Sequence, residues 1–441
     1  MTNSIKNLSI YRHKNKIILL NIKNHKWVKM AEALYNEKMC NPDKFCDELQ
    51  ERFSIFSKDK SLNMNKIRSI YFAVTRKCNL NCQFCSMKSS PFVNTDKELS
   101  YEEILKHVIP KVNEINPQKV IVTGGEPTVR KDIGLILKSL SEVTGKERVV
   151  YQTNGILLTE DIVIEFLKYV GTFELSIENL FENPVLLDKM GKIFQVIKSH
   201  NGMLNFSFVA DRNTLDYIYK AIDLVHKYQA SFIFRIVAPI GRALDNEELF
   251  SEADIKEIYN GIYEYILKKE YYEDNIVNAF LSGVQVKKSC GGYGNILSIK
   301  PDGKLSLCCN IDDVSCEIGD IRKNSIEQIK NSIEKKIDDI EIKRMFLVDE
   351  MKGCQECSVK YFCSGPCAAE VLVSHSRPSC KQKKRLLKYM MFDYDERLDV
   401  KENIQNLLIA LNNCIWRILT AGFAEQNGRN AKLNGRITFD Y

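Results

Sequence analysis

Between residues 69 and 237, short apolar runs alternate six times with amphipathic stretches, and no other feature constrains the fold as strongly. The runs at 69–75, 119–123, 148–153, 172–177, 205–210 and 232–237 are rich in Val, Ile, Phe and Tyr, the residues that fit a pleated surface. The stretches between them, 100–112, 133–143, 160–169, 184–199 and 215–228, repeat apolar residues at helical spacing. Strands joined through helices lie parallel with right-handed crossovers. The predicted fold class is therefore α/β, an open or partial (β/α)6 TIM-like barrel. Its site should lie at the C-terminal ends of the strands.

At 441 residues the chain is too long for one core, and its flanks differ from the middle. From 7 to 56, apolar runs at 8–11 and 17–22 flank polar turns, as in a hairpin or three-stranded sheet, followed by helical stretches at 27–37 and 42–53. Residues 57–66 read as a linker, and helical spacing returns at 252–272. Beyond Cys290 the chain turns polar and cysteine-dense, which predicts a region held by metal more than by an apolar core. The tail from 384 to 423 is helical in pattern. We divide the chain at 1–62, 63–285, 286–385 and 386–441.

Hydrophobic residues make up 44% and charged residues 27%, the balance of a soluble globular protein. No run approaches the roughly 18 apolar residues of a membrane helix, and the N-terminus lacks a signal peptide's apolar block. A cytoplasmic location and no membrane partner are expected. With 63 basic and 57 acidic residues the net charge is +6, a mixed solvated surface with no basic stripe for nucleic acid.

Fifteen cysteines in a reducing compartment call for metal or redox chemistry rather than disulfides, and most fall at 78–85 and 290–380. Thr75-Arg-Lys-Cys78-Asn-Leu-Asn-Cys82-Gln-Phe84-Cys85 follows directly on the first strand. Three thiolates leave one iron of a cubane cluster open for an outside ligand. Zinc is the alternative, but zinc sites use two local pairs, and no fourth ligand stands nearby in the sequence. Gly124-Gly125-Glu126-Pro127 ends the second strand, where paired glycines let the backbone approach a ligand.

These two segments resemble the radical S-adenosylmethionine (radical SAM) superfamily, whose loop is C-x3-C-x-aromatic-C. The resemblance implies that Cys78, Cys82 and Cys85 hold a catalytic 4Fe–4S cluster, and that the amino and carboxylate groups of S-adenosyl-L-methionine chelate its open iron. Reductive cleavage of that cofactor would yield a 5′-deoxyadenosyl radical. It places Phe84 against the adenine, and Gly124, Gly125, Glu126 and Pro127 at the methionine amino group. Asn154, in Gln152-Thr153-Asn154-Gly155, Ser176 and the Gly241-Arg242-Ala243 segment match positions that contact ribose, carboxylate or adenine in relatives. The family more often has an Asp after the Ser-containing strand, where this chain has Ile177-Glu178-Asn179.

Cys290, Gly303 and Cys308, then Cys354-x2-Cys357-x5-Cys363-x3-Cys367 and Cys380, resemble the seven-cysteine SPASM extension of peptide- and protein-modifying radical enzymes. The resemblance implies two auxiliary 4Fe–4S clusters. The distal one would be held by Cys354, Cys357, Cys363 and Cys380, the nearer by Cys290, Cys308 and Cys367. An eighth cysteine often precedes the position of Cys290, but here Lys287-Lys288-Ser289 stands there. The nearer cluster would keep an open iron or borrow Cys309 or Cys316. Cys40, Cys46 and Cys414 read as packing residues.

The N-terminal region resembles, in size and element order, the winged-helix leader-recognition module of ribosomal-peptide (RiPP) maturases, which adds an extended leader to a sheet edge. The expected function is hydrogen abstraction from a ribosomally made precursor peptide followed by an intrapeptide crosslink, with a Cys thioether (sactipeptide or ranthipeptide type) foremost. Carbon–carbon crosslinking of the cyclophane or Lys–Trp kind, formylglycine formation in a sulfatase, and a non-catalytic iron–sulfur redox or scaffold protein are the alternatives. For the sulfatase reading, relatives usually carry an Asp where Cys309 stands. A leader-bearing precursor peptide and an electron donor such as flavodoxin or ferredoxin are the implied partners.

Overall fold

The computed structural model describes residues 3–57, 67–245, 249–281, 283–373 and 378–412. Cys414, the end of the predicted tail helix and most of the linker lie outside them.

Three antiparallel strands open the chain: β1 (Ser9–His13), β2 (Lys16–Asn21) and β3 (Lys26–Ala31), in the order β1-β2-β3. The expected helix over 27–37 is thus a strand followed by a shorter helix, Glu32–Lys38. Pairing along all of β2, from Lys16↔Ala31 to Asn21↔Lys26, gives these residues a ladder that overrides local helical spacing. Helix Pro42–Phe53 forms as predicted, with the Asn41 side chain accepting from the Lys44 N–H and Pro42 in the first turn.

Strand β2 is apolar on both faces, and each face has its own partner. Ile17 and Leu19 pack with Val28, Tyr35, Phe45 and Leu49 in a small core of this segment. Ile18 and Leu20 pack instead on Val359, Phe362, Met391 and Phe392 from the far end of the chain. Edge-on contacts of Tyr11 and Trp27 with Phe362, at 5.8 and 5.7 Å, strengthen the seam.

The six predicted strands are β4 (Ser69–Ala73), β5 (Lys119–Thr123), β6 (Val149–Thr153), β7 (Thr172–Ser176), β8 (Met203–Ala210) and β9 (Ser231–Ile236), all parallel in sequence order. Alternation sorts their side chains. Phe72, Val122, Tyr151, Phe173, Phe206 and Phe208 turn outward beneath the helices and are completely buried. Tyr71, Gln152, Glu174, Ser207 and Arg235 turn inward onto a cavity.

The cysteine-dense region departs from expectation. Strand β10 (Ile296–Ile299) pairs in parallel with β4, and β11 (Lys304–Ser306) and β12 (Glu317–Asp320) extend the sheet to nine strands. Helix Ile326–Asp338 buries Ile326, Ile329, Ile333 and Ile337 in the same core as the barrel. This region has a sizeable apolar core after all. Strand β10 is not marked locally because its parallel partner, β4, lies more than 200 residues away. Among the described residues no helix is long and apolar enough to cross a membrane.

Candidate active site

The inward faces and the loops above them enclose a cavity of about 380 Å³. Cys78, Cys82, Phe84 and Cys85 line it, as do Gly124, Gly125, Asn154 and Ser176, so the residues expected around the cofactor come together except Glu126, Pro127 and the 241–243 segment. The glycine pair works by close approach. A Cβ at Gly124 would overlap the Thr75 carbonyl, and one at Gly125 the carbonyls of Arg76 and Lys77. The Gly125 and Glu126 N–H groups donate to Thr75 and Lys77 oxygens at 2.7 and 2.9 Å, locking this turn to the cysteine loop.

Glu126 is placed differently from expectation. Its carboxylate is buried outside the cavity lining and accepts from the Thr128 N–H at 3.0 Å, the Thr153 hydroxyl at 2.7 Å and the Asn154 N–H at 2.7 Å. It braces the ends of two strands, β5 and β6, while Gly124 and Gly125 line the cavity. Pro127 lies beside it, likewise buried and outside the lining. Gly241 and Arg242 also depart from expectation, since both close on the cysteine loop.

Glu178 and Asn179, on the segment where this chain departs from the family, are the residues that motif reading undervalued. Asn179 Nδ2 stands 3.8 Å from Cys82 Sγ. Glu178 is buried at the cavity wall, with Oε2 lacking a hydrogen-bond partner. Burial pushes its carboxyl up to about 7, with backbone hydrogen bonds opposing and Asp211 adding to the rise. Deeper in, Glu174 accepts from Gln152 and Asn205 at 3.0 and 3.3 Å, and Arg235 donates to Ser207 at 3.0 Å. The signal for these was strand alternation, which puts every second residue of a barrel strand inside.

The thiols carry a mark of ligation. Cys78 Sγ accepts from the Leu80 N–H and Cys85 Sγ from the Ser89 N–H, both at 3.3 Å. In the second cluster Cys290 accepts from Gly292 and Tyr293, Cys308 from Asn310 and Ile311, and Cys367 from Ala369 and Glu370, all backbone N–H donors. Backbone donors aimed at sulfur stabilise thiolates, and they are how proteins tune iron–sulfur clusters. Burial pushes the other way, and with neighbouring acidic groups takes Cys82 and Cys290 up to about 11, so a cationic cluster is what would hold these sulfurs ionised. Among the described residues no three His, Cys, Asp or Glu side chains are drawn together around a single-ion centre. Soft donors, N–H-bonded sulfurs and a cavity lined by polar side chains fit iron–sulfur clusters with a hydroxyl-bearing cofactor between them.

Cys290, Cys308 and Cys367 interact with one another as expected for one cluster. Cys309 touches Cys308, interacts with Cys367 and lines the same cavity as Cys78, Cys82 and Cys85. Cys316 is completely buried and interacts with Cys308. Of the distal set, Cys354 and Cys357 share a turn, and the short helix ending at Cys363 packs on the helix whose second residue is Cys380. Cys46 packs in the N-terminal core, but Cys40 is exposed and does not.

A family described as the radical SAM superfamily matches residues 72–252, and the SPASM family, an iron–sulfur cluster-binding domain, matches 290–358. The chain carries a radical SAM domain followed by a SPASM domain. It is an enzyme that uses S-adenosylmethionine, a 4Fe–4S cluster and auxiliary clusters. A GTP 3',8-cyclase of Clostridium perfringens is 29% identical over 185 residues, 40% of this chain and 57% of the cyclase. The AdoMet-dependent heme synthase of Methanosarcina barkeri is 26% identical over 337 residues, 68% of this chain and 91% of that protein. Among solved structures, Streptococcus suis SuiB covers 84% of this chain and 96% of its own at 15% identity and TM-score 0.52. The anSMEcpe structure with bound AdoMet covers 77% and 99% at 15% identity and TM-score 0.53. At such identities these two speak for the fold.

Proposed function

We propose that the chain is a peptide maturase that crosslinks a ribosomally made precursor, most readily through a cysteine thioether. The observation that carries this reading is the shared cavity, where the loop at 78–85 and Cys309, beside Cys308 and Cys367, line one space. S-adenosylmethionine bound at a 4Fe–4S cluster would supply the radical chemistry that removes a hydrogen atom from substrate carbon. Cys78, Cys82 and Cys85 would hold that cluster, and Phe84, Gly124, Gly125, Asn154, Ser176 and Glu178 would seat the cofactor. Cys290, Cys308 and Cys367 would hold the nearer auxiliary cluster and Cys354, Cys357, Cys363 and Cys380 the distal one. A substrate thiol entering beside Cys309 would stand next to three thiolates that supply one ligand fewer than a cubane has irons.

A peptide substrate is further supported by neighbours of the same fold, SuiB bound to precursor peptide SuiA and anSMEcpe bound to the Cp18Cys peptide. The first 57 residues form the leader-binding unit in this reading, with β3 and β1 as the sheet edges open to an added strand. The protein would work in the cytoplasm with a flavodoxin- or ferredoxin-like donor. Anaerobic co-expression with the short peptide encoded beside its gene tests this. A mass loss of two hydrogens per crosslink, with as many thiols lost to alkylation, is expected. The same loss with every thiol reactive would move the product to a carbon–carbon bond.

A further inference from the structure

We propose that Arg242 positions the cysteine loop and supplies the fixed cation that makes the loop's cluster easier to reduce. The inference rests on reading Cys78, Cys82 and Cys85 as ligands of that cluster. After β9 the chain returns over the loop through the turn Gly241–Asp245. Gly241 has φ 59°, in the left-handed region, and a Cβ there would overlap the carbonyl oxygens of Cys85 and Ser86. Only glycine lets the turn lie this close.

From that position Arg242 makes three bonds to the loop. Its backbone N–H donates to the Cys85 oxygen at 3.0 Å, Nη1 donates to the Cys82 oxygen, and Nη2 to the Ser89 oxygen at 2.8 Å. The planar fork spans the Cys82 and Ser89 carbonyls, and with the backbone N–H on Cys85 it ties the cysteine loop to the segment that follows the barrel's last strand. These partners are carbonyls and bring no negative charge of their own. Arg130 and Arg322, also half-buried, pair with Asp132 and Glu103 at 2.6 and 2.7 Å, whereas no carboxylate pairs with Arg242 among the described residues.

A cluster held by thiolates becomes more negative when it gains an electron. A nearby fixed cation stabilises the reduced form more than the oxidised one and raises the reduction potential. A residue that only braces the loop would leave the potential alone. Two variants separate these roles: Arg242→Lys keeps the charge but cannot bond both carbonyls, and Arg242→Gln keeps a donor without the charge.

Iron and sulfide content, and an EPR-monitored redox titration of the signal that shifts on adding S-adenosylmethionine, are the readouts. We expect Arg242→Gln to load its cluster with a potential lower by about 59 mV or more, a tenfold loss of reduced cluster at fixed poise. Arg242→Lys should stay close to the unmutated value. Loss of the cluster from Arg242→Gln but not from Arg242→Lys, with the potential kept in the latter, also supports the inference. An unchanged potential in a fully loaded Arg242→Gln protein, or cluster loss from both variants, overturns it. Failure of the unmutated protein to load a cluster in this loop would refute the reading of the loop instead.

Discussion

The two ends of the cysteine framework are built differently. The loop at 78–85 and the trio of Cys290, Cys308 and Cys367 sit close to strand ends of one nine-stranded sheet, with backbone N–H groups already aimed at five of the six sulfurs. The distal set lies on a turn, a four-residue helix and the start of helix Ser379–Lys388, all outside that sheet, and Cys380 is exposed. Covalent scaffold and hydrogen bonds preorganise the first group, whereas the second depends more on its metal to hold its shape. The barrel side therefore positions chemistry, and the distal side joins the N-terminal sheet to the rest through Phe362.

The largest expected effect lies on the preorganised side. Cys82→Ala should abolish reductive cleavage of S-adenosylmethionine, measured as 5′-deoxyadenosine formed under reductant, while leaving thermal unfolding of the apo protein nearly unchanged. Cys363→Ala should do the reverse in kind, retaining some cofactor cleavage but speeding proteolysis of the segment around 349–388. Equal protease sensitivity in the two variants would break the distinction between the ends.

Iron removal sharpens the same contrast. After chelation under reducing conditions, hydrogen exchange should accelerate in the turns at 354–367 and at the Ile18 and Leu20 face that packs on Phe362. Strands β4 to β9 should keep their protection, since their core is apolar and complete without metal. Uniform acceleration through the barrel would mean the clusters hold the whole sheet.

A smaller effect separates Cys309 from Cys316. Alanine at Cys309 should change the EPR line shape of the nearer auxiliary cluster or its response to a thiol peptide, because this residue shares the cavity and touches Cys308. Alanine at Cys316 should cost about 1 kcal/mol of stability through a small buried void, with no spectral change. A spectral change confined to Cys316→Ala would place the fourth ligand in the core and remove the case for substrate access.

What could be read from the sequence divides along the same line. The six barrel strands and the helix Pro184–Ser199 were legible because each is marked locally, the helix by its Asn183 cap and Pro184 in the first turn. The cofactor loop was legible because its ligands lie within eight residues. Strand β3 and strands β10 to β12 were not, since each is decided by its partner strand rather than by its own pattern. The roles of Glu126 and Arg242 were hidden for a related reason. Motif position says that a residue is near the cofactor, but which way its side chain turns depends on Thr153, Asn154, Cys82 and Ser89 from elsewhere in the chain.

The subtlest expected effect belongs to Glu178, a buried carboxyl of the cavity wall with an unpartnered oxygen. Its folded value of about 7 lies above the unfolded value of about 4.3. The unfolded chain therefore loses its proton first as pH rises. Below about pH 4 the group carries no penalty; between about 4.3 and 7 the folded state is progressively disfavoured, and above 7 the penalty is complete. Its size is on the order of 4 kcal/mol, 1.36 kcal/mol for each unit between the two values. Glu178→Gln removes this titration, so apo protein carrying it should lose less stability between pH 5 and 7.5 than the unmutated protein, read by denaturant midpoints at several pH values. Parallel pH profiles would mean that water or a neighbouring donor already satisfies Oε2. In that case the acceptor would not be reserved for a cofactor hydroxyl. If the profiles differ, the same substitution should weaken S-adenosylmethionine binding to the loaded enzyme by about tenfold, since a charged acceptor bonds a hydroxyl about 1.4 kcal/mol more strongly than an amide.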